Sequence, residues 1–232
     1  NLYCHNKGNT YARIHNELES LGYHVFPNIF NTVDFHLPQK RSRVLIFATT
    51  ESIPENFEKF FTPEKVKEQF DKDYLNLGVS HYQTTLDILS LHVDEKFFLS
   101  DKIKPTILAD GSGNFRSKSD INQTIARTLT ASMHKMHRAC QDNYYSQDFI
   151  ESHGTINHVG EYSKEQLSQL PIRKLTPQEA FMLQGFPAQF ATKAQKAGVA
   201  NGALYKQAGN AVSVNVIYAV LYYLIKKQII HE

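Results

Sequence analysis

The sequence predicts an α/β chain interrupted by an irregular α+β lobe. Three observations predict it. Apolar residues recur at helical spacing near the start and are followed by two strand-like runs. Residues 51–172 then show only short, mixed patterns broken by turn signals. A well-capped short helix and a long apolar helix close the chain.

Each element has a local cause. Tyr11, Ile14, Leu18 and Leu21 fall on one helical face, and Gly22 supplies a stop. Tyr23–Asn31 is rich in aromatic and β-branched residues and reads as a strand. Arg43–Thr50 begins polar and ends in an apolar run, so it reads as a buried strand with a polar entrance. The stretch 51–172 reads as a separate irregular lobe, with a turn at Asp110-Gly111-Ser112-Gly113-Asn114. Thr176-Pro177-Gln178-Glu179 is a capping box with Pro at the first helical position, and Gly185 ends that helix. Gly209-Asn210 precedes a last helix over about 211–227.

Composition bounds the function. The chain has 232 residues, 25 Lys plus Arg against 23 Asp plus Glu, and 41% hydrophobic residues, which excludes a disulfide-stapled miniprotein and a wholly disordered chain. Cys4 and Cys140 cannot make a disulfide framework or a four-cysteine zinc site, and they fit a reducing cytoplasm. No metal site is expected. The longest apolar run, Val216–Ile225, is too short to cross a bilayer, so no membrane partner is expected. The first residues carry no signal-peptide pattern, and the missing Met suggests a start partway through a longer product.

Charge is uneven. Residues 51–101 hold 11 acidic and 5 basic residues, whereas 111–147 hold 5 basic and 2 acidic ones. The second window interleaves Arg116, Lys118, Arg127, Lys135 and Arg138 with His134, His137, Tyr144 and Tyr145. That mixture suits phosphate contact and base-edge hydrogen bonding, and equally a solvated loop.

Three short motifs stand out. In Gln39-Lys40-Arg41-Ser42-Arg43, a period of two puts Gln39, Arg41 and Arg43 on one face, as a comb for phosphates or as charged gatekeepers of an exposed edge strand. In Arg173-Lys174-Leu175-Thr176-Pro177-Gln178-Glu179, followed by Leu183-Gln184-Gly185-Phe186-Pro187, helix capping explains all the special residues except Arg173 and Gln184. In Gln207-Ala208-Gly209-Asn210-Ala211-Val212, Asn210 reads as an N-cap, and free N–H groups behind it would favour an anion.

In this order and spacing the three motifs resemble the eighth, ninth and tenth conserved blocks of the C5 cytosine-specific DNA methyltransferases. The 120-odd residues between the first two resemble that family's target recognition domain, where Arg127-Thr128-Leu129-Thr130-Ala131 matches a short Thr-Leu element. The resemblance implies the C-terminal part of a doubly wound methyltransferase sheet. Residues 1–50 and 173–232 would belong to the catalytic domain and 51–172 to the recognition lobe. It implies S-adenosyl-L-methionine as cofactor, double-stranded DNA as partner, and a place in bacterial restriction–modification.

Site roles follow from the same resemblance. Arg43 would stabilise charge developing on the O2 of a flipped cytosine, with Arg41 and Gln39 orienting the nucleotide. Asn210, Ala211 and Val212 would line the cofactor pocket. Thr128, Thr130, Lys135, His137, Arg138, Gln141, Asn143 and Arg173 are the expected DNA contacts. There are departures. Met182 stands where the family often has Arg, and Ala211 where it commonly has Ser. Neither cysteine follows a proline, so the family's Pro-Cys nucleophile is missing. A complementary chain or half carrying that thiol is therefore expected; the alternative is a non-catalytic, sequence-specific DNA-binding remnant.

Overall fold

A computed structural model describes residues 2–111, 114 and 117–230. The turn expected at 110–114 lies partly outside these residues, as does Arg116.

Helix α1 (Asn9–Ser20) ends as predicted. The Gly22 N–H donates to Glu19 O and the Tyr23 N–H to Leu18 O, and Gly22 takes the φ of +84° that this closure needs. Its apolar stripe has no fully buried residue, and Leu21 is 71% exposed. Strand β1 (His24–Asn31) follows. The predicted comb then divides into β2 (Gln39–Lys40) and β3 (Ser42–Thr49), with Arg41 between them. β1 and β3 form an antiparallel ribbon, pairing Phe26 with Phe47 and Phe30 with Arg43. β3 is half-buried rather than buried, because among the described residues its second edge meets no strand.

The next elements, α2 (Phe57–Phe60) and α3 (Pro63–Asp73), are not detached from this ribbon. Thr62 caps α3 with Pro63 just inside. Phe57, Phe61, Val66 and Phe70 share one core with Phe30, Phe35, Val216, Val220 and Tyr223. Packing therefore crosses position 51, where the sequence suggested a boundary. Apolar contact between distant segments decides this, and local pattern cannot display it.

The middle of the chain is held by short pieces: α4 (Lys104–Leu108), β4 (Ala126–Arg127), β5 (Tyr144–Ser146), α5 (Gln147–Glu151) and α6 (Lys164–Leu167). β4 runs parallel to β2, pairing Gln39 with Ala126 and Lys40 with Arg127. β5 runs antiparallel to β6 (Ile172–Lys174). One core joins Ile88, Leu129, Tyr145 and Phe149 to Leu175, Phe181, Leu204 and Tyr205. A smaller core of Leu99, Ile107, Ile121, Tyr144 and Ile172 closes the far end.

The capping box opens α7 (Pro177–Met182) as predicted: the Glu179 N–H donates to Thr176 Oγ1, and the Thr176 N–H to Glu179 Oε2. After α8 (Gln189–Lys196) come α9 (Asn201–Asn210) and α10 (Val214–Lys226). Asn210 is thus the last residue of α9, not the cap of the final helix, which starts four residues later behind Ser213. The sequence Asn201–Lys226 is long and apolar enough by composition to cross a bilayer, but Ala211–Ser213 breaks it, and half of its most apolar window is buried in the protein. The outer face of α10 leaves Tyr218 and Leu221 exposed.

Candidate active site and nucleic-acid interface

The three motifs meet in space, with Gln39 of the first bonded to the second and Arg41 of the first bonded to the third. Arg41 is 3% exposed. Its Nη1 donates to Leu129 O at 2.9 Å, and its Nη2 to Gly209 O at 3.0 Å and Ala211 O at 2.8 Å. A cation at the end of α9 suits the negative pole of that helix and occupies carbonyls left unpaired there. Burial lowers the Arg41 pKa to about 10, and the nearby Arg43 charge adds to the shift. Gln39 works beside it. Its Nε2 donates to Leu183 O at 2.9 Å, and its Oε1 accepts from Leu129 N at 3.0 Å. Gln184 Nε2 donates to Ala208 O at 2.9 Å.

Gln39 and Arg41 therefore do not reach a nucleotide, contrary to the sequence expectation. Gln39 Nε2 and both Arg41 terminal nitrogens donate to backbone carbonyls from three segments, and Arg41 Nε is buried among them. Period-two alternation fails because the strand breaks at Arg41, whose own N–H donates to Asn31 Oδ1 and whose carbonyl accepts from Thr32 N. Arg43, one step beyond the break, is exposed, and among the described residues its Nη1 donates to the adjacent Ser42 carbonyl alone.

Arg43 opens onto a cleft of about 840 Å³. Lys40, Arg43 and Arg127 line it, with Thr128, Thr130, Cys140 and Gln141, and among the described residues no carboxylate does. Among the described residues, none of the three cations forms an ion pair. A wide concave surface with three uncompensated positive charges focuses an attractive potential for anions. Lys40 and Arg127 are site residues that the sequence reading did not select. Both lay in the highlighted windows, but only the β2–β4 pairing brings them together.

The other expected DNA contacts divide. Thr128, Thr130 and Gln141 line the cleft, and the Thr128 hydroxyl donates to Lys40 O at 2.6 Å. Lys135 is exposed in a single 3-10 turn. His137 and Arg138 are half-buried on the same loop; Arg138 Nη1 donates to Asp110 O at 3.2 Å. The loop is fixed from beneath, where the Tyr144 hydroxyl donates to His137 O at 2.7 Å and the His137 N–H donates to Asp142 Oδ2 at 3.2 Å. Burial raises the Asp142 pKa, partly offset by that N–H.

Asn143 and Arg173 are corrections. Asn143 is buried and brackets the Arg127 backbone, accepting from its N–H at 2.7 Å and donating to its carbonyl at 3.1 Å. Arg173 is 0% exposed and grips Glu179 through two bonds, at 2.9 Å and 2.8 Å. Its Nη2 also donates to Ser90 O, and the Ser90 N–H donates to Glu179 Oε1. A guanidinium so enclosed cannot reach DNA; it ties residue 90 to the capping box.

The proposed cofactor residues lie elsewhere than expected on their helix. Asn210 is exposed at the C-terminal end of α9, where carbonyls rather than N–H groups emerge. The first N–H of α10, that of Val214, is already donated to Gln184 O. Asn210 and Ala211, with Ala203, Lys206 and Gln207, border an open depression, and Val212 is exposed nearby. Among the described residues no cluster of three or more His, Cys, Asp or Glu side chains could hold a metal ion.

The chain is 33% identical over 227 residues to the type II methyltransferase M.SsoII of Shigella sonnei, covering 95% of this chain and 49% of that one. It is 31% identical over 220 residues to the type II methyltransferase M1.ScrFI of Lactococcus lactis subsp. cremoris, covering 95% and 48%. It thus spans about half the length of these relatives. Among solved structures, the S. pombe Dnmt2 methyltransferase superposes with a TM-score of 0.68 at 17% identity, covering 95% of this chain and 63% of that one. The Entamoeba histolytica methyltransferase EhMeth gives 0.66 at 18% identity, covering 94% and 58%. The α/β methyltransferase fold expected from the motifs is therefore the fold of this chain, and the profile of the C-5 cytosine-specific DNA methylases matches residues 1–226. On the family match and the relatives together, this chain belongs to the C-5 cytosine-specific DNA methylase family.

Proposed function

We propose that this chain is the C-terminal, target-recognising half of a DNA (cytosine-5)-methyltransferase of the restriction–modification type, working in the cytoplasm on a specific duplex site. The observation that carries the reading is the acid-free cleft of about 840 Å³ lined by Lys40, Arg43 and Arg127. Polyanion binding needs such a surface, and a flipped base needs such a volume.

Arg43 is the proposed catalytic residue of this chain. Carbon 5 of cytosine is a weak nucleophile until a thiolate adds to carbon 6. That addition places negative charge on the ring and its O2. The Arg43 guanidinium, held at the cleft and free of a carboxylate partner, is the group available to stabilise that charge as it develops. Arg41 and Gln39 are positioning residues, since they fix the backbone from which Arg43 projects and the segment carrying Thr128.

S-adenosyl-L-methionine supplies the electrophilic methyl group when bound. The Asn210 carboxamide and the Lys206 ammonium beside the open depression fit its charged methionine end. The recognition lobe is proposed to comprise the residues up to 172 that build the β4 and β5 side of the cleft.

The attacking thiol is assigned to a complementary half. Two apolar surfaces and one open strand edge support this: the stripe of α1 ending in Leu21, the outer face of α10 with Tyr218 and Leu221, which is 47% exposed, and the edge of β3 left unpaired among the described residues. A two-stranded ribbon with an open edge is marginal by itself. The length of the relatives, about twice this chain, supports the remaining half of a methyltransferase as the occupant.

The test is reconstitution. Mixing the chain with a complementary half that carries the Pro-Cys loop should yield transfer of labelled methyl groups to duplex DNA. Arg43→Ala should abolish transfer while leaving assembly intact. Duplex binding without any transfer in the reconstituted pair would favour the non-catalytic remnant instead.

A further inference from the structure

The β2–β4 ladder is only two residues long, yet it is held with unusual care. The Ala126 N–H donates to Pro38 O at 2.8 Å, the Thr128 hydroxyl secures Lys40 O, and the buried Asn143 side chain brackets both backbone groups of Arg127. Gln39 and Ala126, the first pair, are fully buried. Alternation turns the second pair, Lys40 and Arg127, to the cleft. The result is two cationic residues on directly paired backbone positions lining one cleft. Like charges directly opposite on a ladder destabilise it. Among the described residues no acid lines the cleft to relieve them, and the Arg127 side chain donates only through Nη1, to Asp120 O at 3.1 Å, leaving most of its guanidinium N–H groups without a described partner.

A pair of pinned, uncompensated cations suits one compact anion with two equivalent oxygens. We propose that Lys40 and Arg127 jointly hold a single phosphodiester group of the strand whose base enters the cleft toward Arg43. This inference rests on the reading of duplex DNA as substrate and names a contact within it. The contact is to backbone, so it positions the strand and carries no sequence information.

The experiment measures equilibrium binding of a fluorescent duplex to the assembled enzyme across a fourfold range of salt, with a cognate and a scrambled sequence. The variants are Lys40→Gln, Arg127→Gln and the double substitution, with Lys40→Arg and Arg127→Lys as charge-keeping controls. Loss of one neutralised phosphate lowers the slope of log K against log salt by about 0.9, so the affinity ratio of wild type to double variant should change about 3.5-fold over that range. Cognate and scrambled duplexes should weaken by equal factors, and the charge-keeping variants should retain the wild-type slope. An unchanged slope in the double variant, or a loss confined to the cognate duplex, overturns the proposal while leaving the enzyme reading intact. A wild-type assembly that binds no duplex at all overturns both.

Discussion

Arg41 and Arg43 lie two residues apart in one motif and should respond to substitution in opposite ways. Consider Arg41→Met, which keeps much of the volume and removes the charge. Three backbone carbonyls, those of Leu129, Gly209 and Ala211, lose a cationic donor at 2.8–3.0 Å. Charge-assisted bonds contribute about 1.5–3 kcal/mol each, and the lower figure applies because removing the guanidinium also returns its desolvation cost. Three such bonds give about 4.5 kcal/mol. That is a large share of the ~5–15 kcal/mol by which domains are stable. Urea denaturation of the assembled enzyme should therefore shift to a much lower midpoint. Arg41→Lys should recover part of the loss, because an ammonium carries donors but not the planar fork that reaches three acceptors. Arg43→Met, exposed and bonded only to its neighbour's carbonyl, should stay within about 0.5 kcal/mol of wild type while removing methyl transfer. Equal stability of Arg41→Met and wild type would refute the view that Arg41 ties the first motif to Leu129 and to the third motif.

Further expectations follow from the same packing. A Cβ at Gly209 would lie 2.3 Å from the backbone carbonyl of Thr130, and neither backbone can yield cheaply, so Gly209→Ala should cost ~1–3 kcal/mol or more in a thermal melt and loosen the cleft wall. Glu179→Gln should cost ~3–5 kcal/mol in urea denaturation, because it strands the fully buried Arg173. Burial raises the Asp142 pKa above its ordinary 3.8, so its contribution to stability is greatest below that value and is lost as pH rises through the raised folded value. Asp142→Asn should accordingly flatten the pH dependence of the melting temperature on the acid side of neutrality, and a wild-type slope in that variant would contradict the assignment.

Much of this protein is legible in its residues because the signals are local. The Thr176 capping box, the Gly22 and Gly185 stops and the β1 run each follow from bonds made within a few residues. The same kind of signal, Thr62-Pro63, marks the start of α3 inside a stretch whose mixed patterns hide it. Motif order and spacing sufficed to suggest the family to which the chain belongs.

Tertiary structure decided the roles. Gln39, Arg41, Asn143 and Arg173 carry the same donors whether they face DNA or carbonyls, and only their burial shows that they are turned into the protein. Lys40 and Arg127 are 87 residues apart along the chain, and a two-residue parallel ladder makes them neighbours. The end of α9 at Asn210 is likewise set by Arg41 and Gln184 drawing on its last carbonyls. A sequence lists hydrogen-bonding groups; the fold determines which of them meet a partner inside the protein and which are left for a ligand.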